Sequence, residues 1–158
     1  MTKWRREDNL SFAGLSSDPE AQDDHGQEKG MNFFFEIFAR DLMLSRAFYT
    51  DAIGLIVRHE SPAYIVMAKG QAKLHLVSHD LLPAAQRRRG CVGMPTACAV
   101  QLCFEVPDII KAHDHARRSG HPVVEPLRDQ PWGRSDFRMF DPDGVYVRVT
   151  GQRPIASG

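Results

Sequence analysis

One structural unit occurs twice along this chain, and the repeat limits the possible folds more than any other feature. Residues 33–55 read as an apolar strand, an Asp, a helical segment and a Gly, and residues 99–123 repeat that order. Strand-like segments follow each copy. Because repeated supersecondary units pack together to bury a shared core, the repeat predicts one domain built from two similar halves.

Local signals place a strand and a capped helix at the start of each half. Asp41 can accept hydrogen bonds from the free N–H groups of a helix that ends near Ala52, and Gly54 suits the end of that helix. Asp108 and Gly120 frame a second predicted helix over residues 109–119. An apolar stripe of Leu44, Ala47, Phe48 and Leu55 is predicted to face the core. The predicted strands cover 33–39, 55–59, 63–68, 71–78, 100–106, 122–127, 136–140 and 145–150.

Composition separates terminal tails from the domain. Residues 1–30 are polar without apolar periodicity and predict a flexible tail, so Met31 is a candidate natural start. The predicted boundaries are a domain over 31–153, with module one at 32–78, a linker at 79–98, module two at 99–151 and a tail at 154–158.

Bulk charge and cysteine usage exclude several classes of protein. The 20 basic and 20 acidic residues balance, which argues against nucleic-acid binding. Three cysteines without a CxxC spacing do not make a disulfide framework. No apolar run approaches a membrane span or a signal peptide. We therefore expect a cytoplasmic protein without a nucleic-acid or membrane partner.

Alternation along the strands predicts two chemically different sheet faces. One face is wholly apolar and should pack under the helices. Its members are Phe33, Phe35, Ile37, Leu74, Leu76, Val100, Leu102, Phe104, Val106, Val145, Val147 and Val149. The opposite face, called the polar face below, mixes rings with charges. It comprises Phe34, Glu36, Phe38, Lys73, His75, Val77, Gln101, Cys103, Glu105, Tyr146, Arg148 and Thr150. The mixture favours a solvent-reaching cleft with aromatic walls over a merely solvated sheet surface.

Two motifs resemble a known superfamily. Residues 41–55 (DLMLSRAFYTDAIGL) resemble the first helix of the glyoxalase, bleomycin-resistance and extradiol-dioxygenase superfamily, also called vicinal oxygen chelate proteins. Residues 129–134 (DQPWGR), Phe137 and residues 141–144 (DPDG) are similar to its closing segment, most of all in the bleomycin-resistance branch. The resemblance implies an α+β fold of two βαβββ modules, whose paired mixed sheets form a concave cleft with helices on the outer face.

The resemblance also implies where a metal would bind in the enzymes of this superfamily. The four ligand positions fall on Phe34, His75, Gln101 and Arg148. Phe34 offers no donor atom and Arg148 is a fixed cation, so only His75 and Gln101 remain as possible ligands. We expect no cofactor. A shift of two residues along a strand would recruit Glu36 or Glu105, which keeps one divalent metal such as Zn, Ni or Fe as an alternative.

The predicted function is metal-free binding and sequestration of a small molecule, an antibiotic or a metabolite. Balanced charge argues against cationic bleomycin itself as the ligand. The resemblance implies a homodimer, and the alternative function is a metal-dependent glyoxalase-like lyase, isomerase or dioxygenase, for which no catalytic residue is assigned. In the binding hypothesis Phe34, Phe38, Trp132 and Tyr146 supply apolar contact, His75, Gln101 and Glu36 orient polar groups, and Arg148 meets an anionic or carbonyl part of the ligand.

Three candidate roles have a simpler structural interpretation. Trp132 either stacks on a planar ligand or plugs the base of its loop. Cys103 is either a nucleophile near His75 or a small packing residue. A general base at Glu36 or Glu105 is less favoured than an ion pair of these carboxylates with Lys73 or Arg148.

Overall fold

The computed structural model describes residues 33–82, 84 and 100–153. The elements of the first half are β1 (Phe35–Ala39), α1 (Leu42–Asp51), β2 (Ile56–Ser61), β3 (Tyr64–Lys69) and β4 (Ala72–Ser78). Those of the second half are β5 (Gln101–Val106), α2 (Ile109–Arg118), β6 (Val123–Asp129), β7 (Ser135–Phe140) and β8 (Tyr146–Gly151).

Each half forms a four-stranded mixed sheet with the same topology. The strand orders are β1-β4-β3-β2 and β5-β8-β7-β6. The first strand of each half runs parallel to the last, and the other neighbours are antiparallel. Glu36 pairs with His75 in one sheet, and Cys103 pairs with Arg148 at the equivalent place in the other. The predicted α+β fold of two βαβββ modules is confirmed.

The helices begin and end where the capping signals predict. Asp41 accepts hydrogen bonds from the backbone N–H groups of Met43 and Leu44 at 2.9 and 3.0 Å. Asp108 accepts one from Lys111 at 3.0 Å. These carboxylates satisfy donors that have no partner inside the helix, and each cap typically contributes about 1 kcal/mol.

Both modules contribute to one buried core. α1 packs against β3 and β4, and α2 packs against β6, β7 and β8. The largest fully buried apolar side chains are Tyr49, Phe48, Phe137, Ile65, Met67, Leu74, Leu76, Ile109, Met139 and Val147. Several belong to the predicted apolar face, which therefore lies under the helices as expected.

Part of the predicted core is wrong. Phe33, Phe35 and Val100 are 71%, 38% and 60% exposed. All three lie at or just before the first residue of β1 or β5, which are edge strands with a neighbour on one side only. In α1, Leu44 is 58% exposed. Phe48 and Leu55 of the predicted stripe are buried as expected, and Ser45 and Tyr49 take the buried positions in place of Leu44 and Ala47.

The turn between β7 and β8 docks onto α1 and so ties the second module to the first. The Tyr49 hydroxyl donates to Asp141 Oδ2 at 2.8 Å. Ser45 Oγ donates to Asp143 Oδ2 at 3.0 Å, and the backbone N–H of Arg40 donates to Asp143 Oδ1 at 3.0 Å. The predicted turn at residues 141–144 is present, with Gly144 N donating to Asp141 O at 3.0 Å.

Several predictions fall outside the described residues. These are the tail over 1–30, the start at Met31, the tail over 154–158, and residues 83 and 85–98 of the predicted linker, which include Cys91 and Cys98. The start of that linker is a short 3-10 turn over His79–Leu81. Within the part of the chain that the structure describes, no helix is both long and apolar enough to cross a membrane.

Candidate functional site

On the polar face of the first module, two aromatic rings lie against one imidazole. Phe34, just before β1, stacks on the His75 ring with centroids 4.1 Å apart and planes inclined by 23°. Tyr64 of β3 lies edge-on to the same ring at 5.4 Å, and its hydroxyl is hydrogen-bonded to His75 Nδ1. Pairing of Tyr64 with Val77 and of Val66 with His75 makes Tyr64 a diagonal neighbour of His75.

Burial sets the protonation of this group. Desolvation lowers the pKa of His75, partly opposed by the charge of Glu36. Desolvation and Glu36 together raise the pKa of Tyr64. Both shifts keep the pair uncharged near neutral pH, because a lowered histidine pKa disfavours imidazolium and a raised tyrosine pKa disfavours phenolate.

The polar face of the second module carries a network of charges. Asp136 of β7 is only 1% exposed, and its Oδ2 lies 2.7 Å from Nη2 of Arg148 on β8. Gln130 Nε2 donates to Asp136 Oδ1 at 2.8 Å. Glu125 of β6 accepts hydrogen bonds from Arg138 and from the Tyr146 hydroxyl. The network neutralises each guanidinium with a nearby carboxylate.

The contacts of this network are imperfectly aligned. Asp136 Oδ2 meets Arg148 at ion-pair distance without hydrogen-bond geometry. Within residues 33–82 and 100–153, the Nε atoms of Arg138 and Arg148 are buried without an acceptor. Charge attraction rather than directional bonding therefore holds Arg148 in place.

Trp132 lies beside this network on the loop between β6 and β7. Trp132 is 58% exposed, whereas a side chain that plugged the base of the loop would be buried. The Arg148 guanidinium carbon lies 5.3 Å from the centre of the Trp132 ring, a cation–π contact. The indole is thus oriented by Arg148 while most of it stays accessible.

The predicted site residues form two separate groups. Phe34, Glu36, Phe38 and His75 lie on or beside β1 and β4 of the first module, whereas Gln101, Trp132, Tyr146 and Arg148 belong to the second module. In the described ranges, the hydrogen bonds, ion pairs and ring contacts of these eight side chains stay within their own module. Their roles as ligand contacts stay predictions.

The favoured ion pairs are wrong for two residues. Glu105 pairs with Arg134, at 2.5 Å, and Arg148 pairs with Asp136. Both observed partners come from β7 or the loop before it, and no local signal in the sequence places that segment beside these strands. The exposed thiol of Cys103 lies 3.8 Å from Gln101 Oε1 and is therefore not a packing residue.

Five further polar residues of this surface were missed: Tyr64, Glu125, Gln130, Asp136 and Arg138. A signal for Tyr64 was present, because the two-residue turn at Gly70 fixes the β3–β4 register and so the diagonal neighbours of His75. For Asp136 and Arg138, alternation along β7 against Phe137 and Met139 could have indicated the face but not the partners.

The donor set does not fit a metal ion of the kind bound by metalloenzymes with this fold. Among residues 33–82, 84 and 100–153, no three His, Cys, Asp or Glu side chains cluster so as to hold one. Arg148 adds a fixed positive charge at the place in the other module that is equivalent to His75. No chemical step is derived through a metal.

A sequence profile of the Glyoxalase/Bleomycin resistance protein/Dioxygenase superfamily matches residues 31–149. The chain belongs to this superfamily. This superfamily member is 27% identical over 116 residues to a bleomycin resistance protein of Geobacillus stearothermophilus, a match that covers 68% of this chain and 86% of the relative.

Two solved structures show the same fold. A glyoxalase/bleomycin resistance protein/dioxygenase from Nocardioides has a TM-score of 0.62 at 18% identity, covering 84% of this chain and 89% of that one. A lactoylglutathione lyase from Agrobacterium tumefaciens has a TM-score of 0.57 at 21% identity, covering 78% and 96%. The superfamily thus hosts differently named proteins on one scaffold, and the fold alone does not select among them.

Proposed function

We propose that this protein binds and sequesters a small organic molecule without a metal, as a member of the bleomycin-resistance type. The observation that carries the proposal is the exposed Trp132 ring held in place by Arg148. A large ring that is fixed yet accessible offers contact area without the cost of ordering a flexible side chain. The similarity to a bleomycin resistance protein supports the same function class.

Further aromatic side chains enlarge the proposed binding surface. Phe34 is 44% exposed on the first module, and Phe140 is 43% exposed beside Tyr146 on the second. Ligand sites combine apolar walls with a few fixed polar groups. Here those polar groups are His75, Gln101 and Glu36, with Tyr64 added.

The charges on these faces favour a ligand without strong net charge. Arg148 is neutralised by Asp136, Arg138 by Glu125 and Arg134 by Glu105. An anionic ligand would have to compete with carboxylates already in contact with each guanidinium. We therefore revise the role of Arg148 from binding an anion to orienting the Trp132 ring.

A panel of drugs and metabolites tests the proposal through quenching of tryptophan fluorescence. The chain has two tryptophans, so the measurement uses a Trp4→Phe background in which only Trp132 emits. We expect saturable quenching by flat, weakly charged compounds. Absence of saturable quenching across such a panel, with no thermal shift, would contradict the proposed function.

Metal addition separates this function from the lyase, isomerase or dioxygenase alternative. We expect Zn, Ni, Co, Mn or Fe(II) to leave the melting temperature of the purified protein unchanged. A ligand that binds only the native state raises stability by about 2.7 kcal/mol at 100 times its dissociation constant, so a real site would be visible. Stoichiometric metal in the purified protein would favour the enzyme.

We also propose a homodimer, because apolar side chains beside both edge strands are exposed. Phe33 and Phe35 at β1 and Val100 at β5 belong to the predicted apolar face, yet all three are exposed to solvent. A second copy would cover them. Sedimentation analysis tests this, and a monomer at micromolar concentration would contradict it. The cytoplasmic location stays a prediction.

A further inference from the structure

The His75 imidazole is fixed in orientation by its two aromatic neighbours. Phe34 covers one face of the ring, and Tyr64 meets its edge with planes inclined by 72°. The ring cannot turn without losing the stack on Phe34 and the hydrogen bond to Tyr64. A polar group held in this way is prepared for binding before the ligand arrives.

The hydrogen bond between Tyr64 and His75 also decides where the imidazole carries its proton. Tyr64 Oη and His75 Nδ1 are hydrogen-bonded to each other. A phenol O–H is a stronger donor than an imidazole N–H, and an imidazole nitrogen is the stronger acceptor, so we infer that the Tyr64 hydroxyl donates to Nδ1. A neutral imidazole has one N–H, and it must then be at Nε2. In the described part of the chain, Nε2 has no acceptor.

We propose that Tyr64 is a positioning residue that fixes His75 as a hydrogen-bond donor through Nε2. The proposal rests on the proposed function and narrows its ligand class. The ligand is a flat molecule with a carbonyl or similar neutral acceptor beside its ring. The acceptor of the ligand takes the hydrogen bond from Nε2, while the ring of the ligand lies against the exposed aromatic side chains named above, Phe34 among them.

Charges around His75 favour a neutral acceptor over a carboxylate. Glu36 is directly paired with His75 across β1 and β4, and Lys73 lies two residues away on β4. Both act on the ring with opposite signs. An anion placed at Nε2 would be repelled by the Glu36 carboxylate, whose effect on the ring exceeds that of Lys73, whereas a carbonyl gains the hydrogen bond without that repulsion.

The first test reads the tautomer in the free protein and needs no ligand. Long-range nitrogen–proton NMR at about pH 8, where histidine is neutral, distinguishes Nε2–H from Nδ1–H. Comparison with His75→Gln assigns the signal among the seven histidines. We expect Nε2–H in the wild type, a mixture in Tyr64→Phe, and no change in the control Tyr146→Phe, whose hydroxyl bonds Glu125 instead. An Nδ1–H tautomer in the wild type overturns the proposal.

The second test compares 1-indanone with indane, two flat probes that differ by one carbonyl. We expect 1-indanone to bind about tenfold more tightly, since a site built around a donor discriminates against a ligand that leaves it unpaired. His75→Gln, whose amide N–H reaches the Nε2 position, should keep the preference, and His75→Leu should lose it.

The outcomes separate the two proposals. Equal affinities for both probes overturn the inference about Tyr64 and His75 and leave the proposed function intact. Binding of neither probe at millimolar concentration excludes this ligand class and so also overturns the inference. Failure of the whole compound panel overturns the proposed function, whatever the tautomer of His75.

Discussion

Tyr49 in α1 and Asp141 in the turn before β8 share a buried hydrogen bond of 2.8 Å that joins the two modules. The Tyr49 side chain is completely buried, and Asp141 is 5% exposed. The same carboxylate caps its own turn, because Asp141 Oδ1 accepts from the backbone of Asp143 and of Val145. One carboxylate therefore shapes the turn with one oxygen and anchors it to the other module with the second.

We expect Tyr49→Phe to destabilise the protein by about 1–3 kcal/mol, because a buried carboxylate oxygen loses its donor while the ring volume is unchanged. Urea unfolding followed by far-UV circular dichroism measures this. The control is Tyr64→Phe, whose hydroxyl is only partly buried and should cost less than half as much. Equal losses of unfolding free energy in the two variants would show that the hydrogen bond between the modules stabilises the protein no more than the bond between Tyr64 and His75.

Alkaline pH should weaken the same contact. Burial, with the nearby charge of Asp141, raises the pKa of Tyr49 well above its ordinary value. The folded state then holds a proton that the unfolded state releases above about pH 10. The contribution of protonated Tyr49 to the free energy of unfolding is therefore fully present below that pH. It decreases by about 1.4 kcal/mol per pH unit as the pH rises above it. The gap in urea midpoint between wild type and Tyr49→Phe should narrow from pH 8 to 11, and a constant gap would contradict this.

Asp136→Ala should be among the most damaging substitutions on the polar face. Removing this carboxylate leaves Arg148 uncompensated, and breaking a buried pair costs about 3 kcal/mol or more. The matched control is Asp129→Ala, which breaks the pair with Arg153, where the aspartate side chain is 72% exposed. Asp129→Ala should lower the free energy of unfolding by no more than about 1 kcal/mol. Similar unfolding midpoints for both variants would mean that Arg148 gains little from Asp136.

Trp132→Ala should weaken ligand binding and leave the fold intact. The ring is mostly exposed, so we expect a stability change within about 0.5 kcal/mol. Binding is measured by thermal shift with any compound that quenches Trp132 in the panel. Trp132→Phe keeps a flat ring and should retain part of the affinity. A large fall in melting temperature without ligand would show instead that the indole supports the loop.

Local signals in the sequence were enough for the helices, the turns and the face of most strand residues. Asp41 and Asp108 act within three residues of their own positions, and strand alternation depends on neighbours in the chain. The equivalence of the two halves was visible for the same reason. The exposed Phe33, Phe35 and Val100 were misplaced, because alternation gives the face of a residue but not whether a helix or strand reaches far enough to cover it.

The sequence by itself therefore determined the repeated βαβββ unit, its caps and the mixed character of its polar faces, since short-range geometry governs all three. Only the tertiary structure decided that Arg148 meets Asp136 and that Tyr49 meets Asp141. It also decided that residue 151 must be Gly, because a Cβ there would lie 2.5 Å from the Val106 carbonyl oxygen on the parallel strand. The contacts of Tyr49 with Asp141 and of Gly151 with Val106 join segments that are far apart in the chain, where local sequence preferences do not act. The contacts between strands depend in addition on register, since a slip of one residue would exchange every partner.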